Sequence, residues 1–193
     1  MAKKFKLAIF SSGSGTNAEK IIKHFAQRPD IEVALLLSNN PDAYALERAK
    51  NLGIATRIFS RDQFTRSNEV IEWLQESGVT HVVLAGFLWL IPMNLIQAFP
   101  DKIINIHPSL LPKFGGKGMY GMKVHEAVRA ANELKTGITI HLVNEHYDDG
   151  KILAQEWVDV DAEDIAKDIA DKVHQLEYKF YPKVIERFVL GES

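Results

Sequence analysis

The first half of the chain alternates short apolar runs with longer segments of helical periodicity. This alternation is typical of βαβ units that wind a parallel sheet. Apolar runs predict strands at residues 5–10, 31–38, 54–59, 81–87, 102–107, 137–143 and 152–160. A turn-like segment separates the last two runs, so we expect these two strands to pair as neighbours.

Helical periodicity and capping signals predict the elements between these strands. They indicate helices at residues 16–26, 41–52, 60–76 and 122–134, a short helix after Pro92, and a last helix that begins at a cap on Asp161. We expect Pro182 to kink or restart that last helix. Its predicted apolar stripe consists of Ile165, Ile169, Val173 and Leu176.

The order of these elements predicts an α/β fold of one domain, residues 1–193, with a Rossmann-like, mostly parallel twisted sheet and helices on both faces. Since 46% of the residues are hydrophobic, the chain can bury a full core. Two prolines and four glycines at residues 108–121 predict a long shaped loop. Loops of this length inside a compact domain are usually functional.

Composition limits the kinds of partner and of chemistry. The 23 basic and 25 acidic residues give a net charge of -2, without a basic block that would indicate nucleic acid or a membrane surface. The absence of cysteine excludes a thiolate nucleophile and a cysteine-based metal site. No apolar stretch reaches the roughly 20 residues that span a bilayer. We therefore expect small-molecule partners and a cytoplasmic location.

A glycine-rich segment, SSGSGTN at residues 11–17, lies between the first predicted strand and the first predicted helix. Backbone amides and the helix dipole favour an anion at such a position. The spacing of Gly13 and Gly15 only half matches a dinucleotide fingerprint, and residues 38–40 lack the carboxylate that would bind a ribose. The segment predicts a phosphate site, not an NAD site; a tight turn without a ligand is the alternative.

Asn105 and His107 are the strongest candidates for chemistry. Side chains alternate along a strand, so these two residues point to one face while Ile104 and Ile106 point to the other. An amide donor beside an imidazole can stabilise a developing oxyanion and handle a proton. The alternative is a pair of ordinary polar groups at a strand edge.

Two further segments are ambiguous. Asp148 lies in a turn-like sequence that is ordinary by itself, but a carboxylate is the usual partner that orients a catalytic imidazole. The run LAGFLWLIP at residues 84–92 can line a pocket for a flat ring or form the core of the next helix. The remaining histidines, such as His24, His81 and His146, lack ligand spacing, so we expect no metal site.

Four motifs occur in a family's order along the chain: SSGSGTN, LAGF, INIHPSLLP and HLVNEHYDDGKI. With them, the sequence resembles the phosphoribosylglycinamide formyltransferases of the folate-dependent formyltransferase superfamily from about Lys6 to Leu190. The resemblance implies a phosphate-binding N-terminal half and a C-terminal half that carries the catalytic and folate-binding groups. It also implies formyl transfer from 10-formyltetrahydrofolate to the amine of glycinamide ribonucleotide in purine synthesis, without a metal.

The resemblance assigns roles to particular residues. Asn105, His107 and Asp148 take the catalytic positions, with His107 as proton donor and Asp148 raising the pKa of His107. The phosphate of glycinamide ribonucleotide is assigned to Gly15, Thr16 and Asn17. Glu177 resembles a substrate-contacting glutamate. Folate contacts are assigned to Arg66, Leu88, Trp89, Leu90, Ile91 and Asn105, with backbone groups of residues 88–91 holding the pteridine.

Two positions depart from the family pattern, and related activities stay open. Trp89 replaces an arginine of familiar members, and His174 stands at a position where some members carry a lysine. Methionyl-tRNA formyltransferases and formyltetrahydrofolate hydrolases share the Asn, His and Asp set, but they usually carry an additional domain for which we expect no room here. A nucleotide-binding module without catalysis is a further alternative. The chain is expected to be a monomer or a homodimer.

Overall fold

The computed structural model describes residues 5–192 and divides into two compact units, of which the first ends at Ile104 and the second begins at Asn105. In the first unit the strands are β1 (Phe5–Phe10), β2 (Ile31–Ser38), β3 (Ala55–Ile58) and β4 (His81–Leu84). Its helices are α1 (Thr16–Phe25), α2 (Tyr44–Asn51), α3 (Arg61–Thr65), α4 (Glu69–Glu76) and α5 (Met93–Ala98).

The strands of this unit follow the order β3-β2-β1-β4, and the pairings of β1 with β2, β1 with β4 and β2 with β3 are all parallel. Residues 7–10 of β1 and all of β4 are buried, as expected of parallel strands covered on both faces. The apolar stripe of α1 is buried and consists of Ala18, Ile21, Ile22 and Phe25.

The strand β5 (Ile103–His107) passes from the first unit into the second. The second unit continues with α6 (Met122–Ala130), β6 (Lys135–Leu142), β7 (Ile152–Asp159) and α7 (Ala166–Leu190). Its strand order is β5-β6-β7, and β6 and β7 pair antiparallel, which confirms that the last two strands are neighbours. The predicted fold class, an α/β fold with a mostly parallel sheet, is confirmed, with seven strands within residues 5–192.

One predicted helix, residues 60–76, is in fact two. A capping box of Ser60 and Gln63 begins α3 at the predicted start of this helix. The side chain of Ser67 then donates a hydrogen bond to the Gln63 carbonyl at 3.0 Å, and Thr65 does the same to Arg61 at 2.8 Å. Side chains that bond to nearby carbonyls compete with the helical pattern, and the chain restarts as α4.

The ends of several other elements also differ from prediction. The strand β4 stops at Leu84, and Gly86 has a φ of 70° that an extended strand does not adopt. The helix α2 begins at Tyr44, three residues after the predicted first position. The helix α6 ends at Ala130, and Asn132 in the turn that follows has a φ of 50°.

The predicted start of the last helix at Asp161 is wrong. The backbone amide of Asp161 bonds to the Asp164 side chain at 2.8 Å, and Lys172 bonds to both carboxylates, so these residues form a turn before α7. Ile165 is 61% exposed and does not belong to the buried stripe. The helix continues through Pro182 without restarting. Within the described residues, no helix has the length and apolar character needed to cross a membrane.

Candidate active site

The carboxyl end of β5 presents two polar side chains. Strand alternation places Asn105 and His107 on one face and Ile104 and Ile106 on the other, as the sequence predicts. The His107 residue is only 4% exposed, and Asn105 is half-buried. A buried imidazole needs partners for its two nitrogens, and these partners define the site.

Both nitrogens of His107 face acceptors. Nε2 lies 2.7 Å from the carbonyl oxygen of Phe114, so Nε2 carries a proton and donates it to that oxygen. Nδ1 lies 3.4 Å from Oδ2 of Asp148. Only the protonated ring can donate to both oxygens, so this arrangement favours the imidazolium.

The pKa of His107 nevertheless lies below its ordinary value. Burial lowers the pKa more than the charge of Asp148 and the bond to Phe114 raise it, and His141 lowers it further. The sequence-based expectation was a pKa raised by Asp148. Asp148 does raise the pKa of His107, as expected. The expected net increase is wrong, because the cost of burying a charged imidazole outweighs the effect of Asp148.

Asp148 is held as a carboxylate at a strained backbone position. Its φ is 55°, in the left-handed region that aspartate adopts more readily than most residues. The amide of Gly116 donates to Oδ2 at 2.9 Å. Burial raises the pKa of Asp148, but the hydrogen bond from His141, the charge of His107 and the Gly116 amide together lower it below its usual range. Asp148 is thus a buried negative charge beside two imidazoles.

His141 is a site residue that the sequence reasoning did not assign. Its Nδ1 lies 2.7 Å from the carbonyl of Leu142 and therefore donates, and its Nε2 lies 3.2 Å from the amide nitrogen of Asn105 and 3.7 Å from Oδ1 of Asp148. Nε2 of His141 thus lies between the amide of Asn105 and the carboxylate of Asp148 and links these two side chains. The available signal was its place as the first residue of the HLVNEHYDDGKI motif, at the end of a strand.

The glycine-rich segment of the first unit forms a tight turn before α1. Gly15 has a φ of 74°, and a Cβ at this position would lie 2.5 Å from the backbone and side chain of Ala45. Thr16 and Asn17 begin α1, whose positive dipole end faces this turn. Arg48 donates to the Ser14 carbonyl at 2.9 Å and pairs with Glu19, which ties the turn to α2.

This turn is connected to the run that follows β4. The hydroxyl of Ser12 accepts a hydrogen bond from the backbone amide of Leu88 at 3.1 Å and donates to Asn39 at 2.6 Å. Leu88 and Leu90 are 47% and 39% exposed, whereas Ile91 is buried. Residues of the run thus alternate between solvent and the core, and the run ends before α5 begins at Met93.

Trp89 belongs to an aromatic cluster. Its ring centroid lies 6.1 Å from that of Phe59 and 6.0 Å from that of Phe64. Arg61, with its guanidinium 4.7 Å from the ring centroid, lies over Trp89. Arg66, the predicted folate contact, pairs with Asp62 at 3.3 Å and is largely exposed. Among the described contacts, the arginine beside the 88–91 run is Arg61.

Glu177 lies on the buried stripe of α7, in a position where an apolar side chain is the norm. Tyr181, one turn later, is fully buried, and burial together with the charge of Glu177 raises the pKa of Tyr181 well above its ordinary value. His174 lies one turn before Glu177 and stacks on Tyr178. The described residues contain no group of three histidine or acidic side chains arranged to hold a metal ion.

Comparison with known proteins decides the family. The family model described as formyl transferase matches residues 5–185. The chain belongs to the formyl transferase family. It is 44% identical to the chloroplastic phosphoribosylglycinamide formyltransferase of Arabidopsis thaliana over 93% of this chain, and 37% identical to the phosphoribosylglycinamide formyltransferase of Bacillus subtilis over 95% of this chain.

Solved formyl transferase structures are similar as well. The glycinamide ribonucleotide transformylase 1 of Symbiobacterium toebii matches with a TM-score of 0.89 and 31% identity, covering 99% of this chain and 90% of that protein. The chain spans 64% of the length of the Arabidopsis relative and 94% of the Bacillus subtilis relative. The similarity to formyl transferases thus extends beyond the four motifs to nearly the whole of this chain.

Proposed function

We propose that this chain transfers the formyl group of 10-formyltetrahydrofolate to the amine of glycinamide ribonucleotide, a step of purine synthesis. The observation that carries the proposal is the cluster of Asn105, His107, His141 and Asp148 in the second unit, in which both imidazoles are buried. An amide donor, an imidazole and a fixed carboxylate are the groups that acyl transfer from an amide-like donor requires.

The proposed roles follow from the charges that develop during transfer. The amine nitrogen forms a bond to the formyl carbon, the bond from that carbon to the carrier nitrogen breaks, and one proton passes from the amine to the leaving nitrogen. The formyl oxygen gains negative charge in between. Asn105 and protonated His107 would donate hydrogen bonds to this oxygen, and Asp148 would stabilise the imidazolium.

His107 has to exchange a partner to act in this way. Its Nε2 now donates to the Phe114 carbonyl, and its Nδ1 faces Asp148. Phe114 has a φ of 55°, which is strained for a bulky residue and costs of order 1–3 kcal/mol. Release of this strained segment on substrate binding would free Nε2 for the formyl oxygen while Asp148 keeps its contact with Nδ1.

The substrates are assigned to surfaces of suitable chemistry. Gly15, Thr16 and Asn17 at the α1 N-terminus would hold the phosphate of glycinamide ribonucleotide, and Glu177 would contact the same substrate. Exposed apolar side chains at Leu88 and Leu90 suit a flat ring, so Leu88, Trp89, Leu90 and Ile91 would receive the pteridine. Arg66 is kept as a proposed contact for the folate, for which its exposure leaves it accessible.

Cellular location and oligomeric state stay predictions. A cytoplasmic location is proposed on the grounds given by the sequence, although the Arabidopsis thaliana relative is named chloroplastic. A monomer or a homodimer is expected. The small-molecule partners are glycinamide ribonucleotide and the formylfolate.

The test measures formyl transfer with three acceptors. Purified protein and 10-formyltetrahydrofolate are incubated with glycinamide ribonucleotide, with methionyl-tRNA, or with water alone. We expect turnover with the ribonucleotide only, and Asn105→Ala and His107→Ala should each lower kcat by about 10² to 10³. Turnover only with methionyl-tRNA or water, or near-wild-type rates in both variants, would refute the assignment.

A further inference from the structure

His125 is a buried imidazole that the proposed chemistry leaves unused. It lies on the buried face of α6, beside Val124 and one turn before Val128, and is 2% exposed. Its Nδ1 is sealed from solvent and has no hydrogen-bond partner within the described residues. Few buried polar atoms in native proteins lack a partner, and leaving one unpaired costs about 1–3 kcal/mol. Such an atom calls for a functional explanation.

Two other histidines surround His125 within the second unit. The ring of His174 meets it edge-on at a centroid distance of 6.4 Å and is itself stacked on Tyr178 at 6.0 Å. Burial, and then the charges of His174 and His107, lower the pKa of His125 to about 4. His125 is therefore neutral near pH 7, and a positive charge on His107 would oppose its protonation further.

The neutral ring has one N–H, and its surroundings decide where this proton lies. A proton on the sealed Nδ1 would be a buried donor without an acceptor, which is more costly than an unused lone pair on that atom. The proton is therefore favoured on Nε2. A neutral N–H donor suits an uncharged oxygen and does not suit an ammonium group.

We propose that His125 donates a hydrogen bond from Nε2 to an uncharged oxygen of the phosphorylated amine substrate, either a ribose hydroxyl or the glycinamide carbonyl. This inference rests on the proposed function, since it takes glycinamide ribonucleotide as the substrate. His125 is then a binding and specificity residue. It adds a contact on α6 to the one proposed for Glu177 on α7.

Three substitutions separate this role from a structural one. His125→Phe keeps the volume and removes both nitrogens, His125→Gln places an amide N–H near the former Nε2, and His125→Asn places one near the former Nδ1. We expect the Kd for glycinamide ribonucleotide to rise about five- to tenfold with Phe and with Asn, the effect of one neutral hydrogen bond, and to return close to wild type with Gln. The KM for 10-formyltetrahydrofolate should stay unchanged.

The matched control is Thr136→Val. The hydroxyl of Thr136 on β6 is the other buried polar atom without a partner in the described part of the chain, and valine replaces it without a change of shape. We expect no change in the Kd for the ribonucleotide. The proposal is overturned if wild type, His125→Phe and His125→Asn have the same Kd. It is also overturned if His125→Phe weakens binding of the ribonucleotide and His125→Gln weakens it equally.

Substrate analogues identify the oxygen. If the ribose hydroxyl is the acceptor, a deoxyribose analogue binds wild type and His125→Phe with equal affinity. An analogue with methylene in place of the glycinamide carbonyl then still binds wild type more tightly than His125→Phe. The opposite result assigns the carbonyl. A penalty that persists in full with both analogues overturns the proposal. Binding can be measured directly, without turnover. If the His125 variants change the Kd as expected but the protein transfers no formyl group, the proposed function is refuted and the role of His125 in binding is not.

Discussion

At the scale of single residues, the candidate site is governed by the balance between burial and charge at His107. Nε2 and Nδ1 both face oxygens, which favours the protonated ring, yet burial opposes protonation more strongly. Asp148 stays ionised because hydrogen bonds and nearby imidazoles stabilise its charge. Asp148 thus stabilises the protonated form of His107 against the cost of burial, and this is the form that the proposed mechanism uses.

The first prediction is that Asp148→Asn moves the alkaline limb of the kcat profile to lower pH. If protonated His107 donates to the formyl oxygen, kcat falls as pH rises through the pKa of His107, which is already below its ordinary value. Without the charge of Asp148, that pKa falls further, and turnover at neutral pH should decrease about tenfold for each pH unit of the shift. The measurement is kcat against pH, with the chemical step shown to be rate-limiting.

Asp149→Asn is the control for this experiment. Asp149 is the exposed neighbour of Asp148 and contacts Asn144 at 3.3 Å, so its substitution removes the same charge one residue away. It should leave the alkaline limb in place. A limb that also stays in place in Asp148→Asn would show that Asp148 does not set the charge of His107.

At the scale of elements, the sequence predicted strands well and helix ends poorly. Strand bounds follow from apolar runs that must be buried, so β1 and β2 agree with prediction residue for residue. The break between α3 and α4 depends on hydroxyl groups that bond to carbonyls, and the start of α7 depends on Lys172, eleven residues beyond Asp161. Periodicity carries no information about such contacts.

The same limit applies to the candidate site. Strand alternation was sufficient to put Asn105 and His107 on one face, because it depends only on local geometry. The contact of His141 with both Asn105 and Asp148 depends on how three separate segments meet. The net pKa of His107 depends on burial, which the sequence pattern does not measure.

The second prediction concerns the turn between β1 and α1. Gly15→Ala forces a side chain into the left-handed region, with its Cβ 2.5 Å from Ala45, whereas Gly13→Ala meets nothing within 4 Å and is the matched control. We expect Gly15→Ala to lower the free energy of unfolding by about 1–3 kcal/mol. The Kd for glycinamide ribonucleotide should rise as well. Urea denaturation and titration calorimetry check the two effects, and equal behaviour of both variants would contradict the assignment of the turn.

At the scale of the whole molecule, stability depends on histidines that fold in the neutral form. Burial lowers the pKa of His81 to about 4, helped by the charge of Lys102, and lowers that of His125 to about 4 as well. In the unfolded chain these groups bind protons near pH 6.5. Between pH 6.5 and pH 4 the unfolded state therefore binds more protons, and the free energy of unfolding falls as pH falls.

The third prediction isolates the part of this acid sensitivity that belongs to His81. His81→Phe keeps a ring against Phe5, which lies 5.8 Å away edge-on, and removes the titrating group. The difference between the urea midpoints at pH 7 and pH 5 should become smaller in this variant. The exposed His146→Phe serves as the control and should retain the wild-type difference. An unchanged pH dependence in His81→Phe would refute the attribution to that imidazole.

The fourth prediction is that glycinamide ribonucleotide raises the melting temperature of the chain and NAD does not. A ligand that binds only the folded state stabilises it by about 2.7 kcal/mol at a concentration of 100 times Kd. For a chain of this size that corresponds to about 5–10 °C. A dinucleotide site has a carboxylate where residues 38–40 here carry amide and hydroxyl side chains. Together with the glycine spacing in residues 11–17, this favours a phosphate without a second nucleotide.

If the phosphate lies at the turn, the ribonucleotide should raise the melting temperature of Gly15→Ala much less than that of wild type. A shift with NAD and none with the ribonucleotide would assign this turn to a dinucleotide, and the proposed substrate would be wrong.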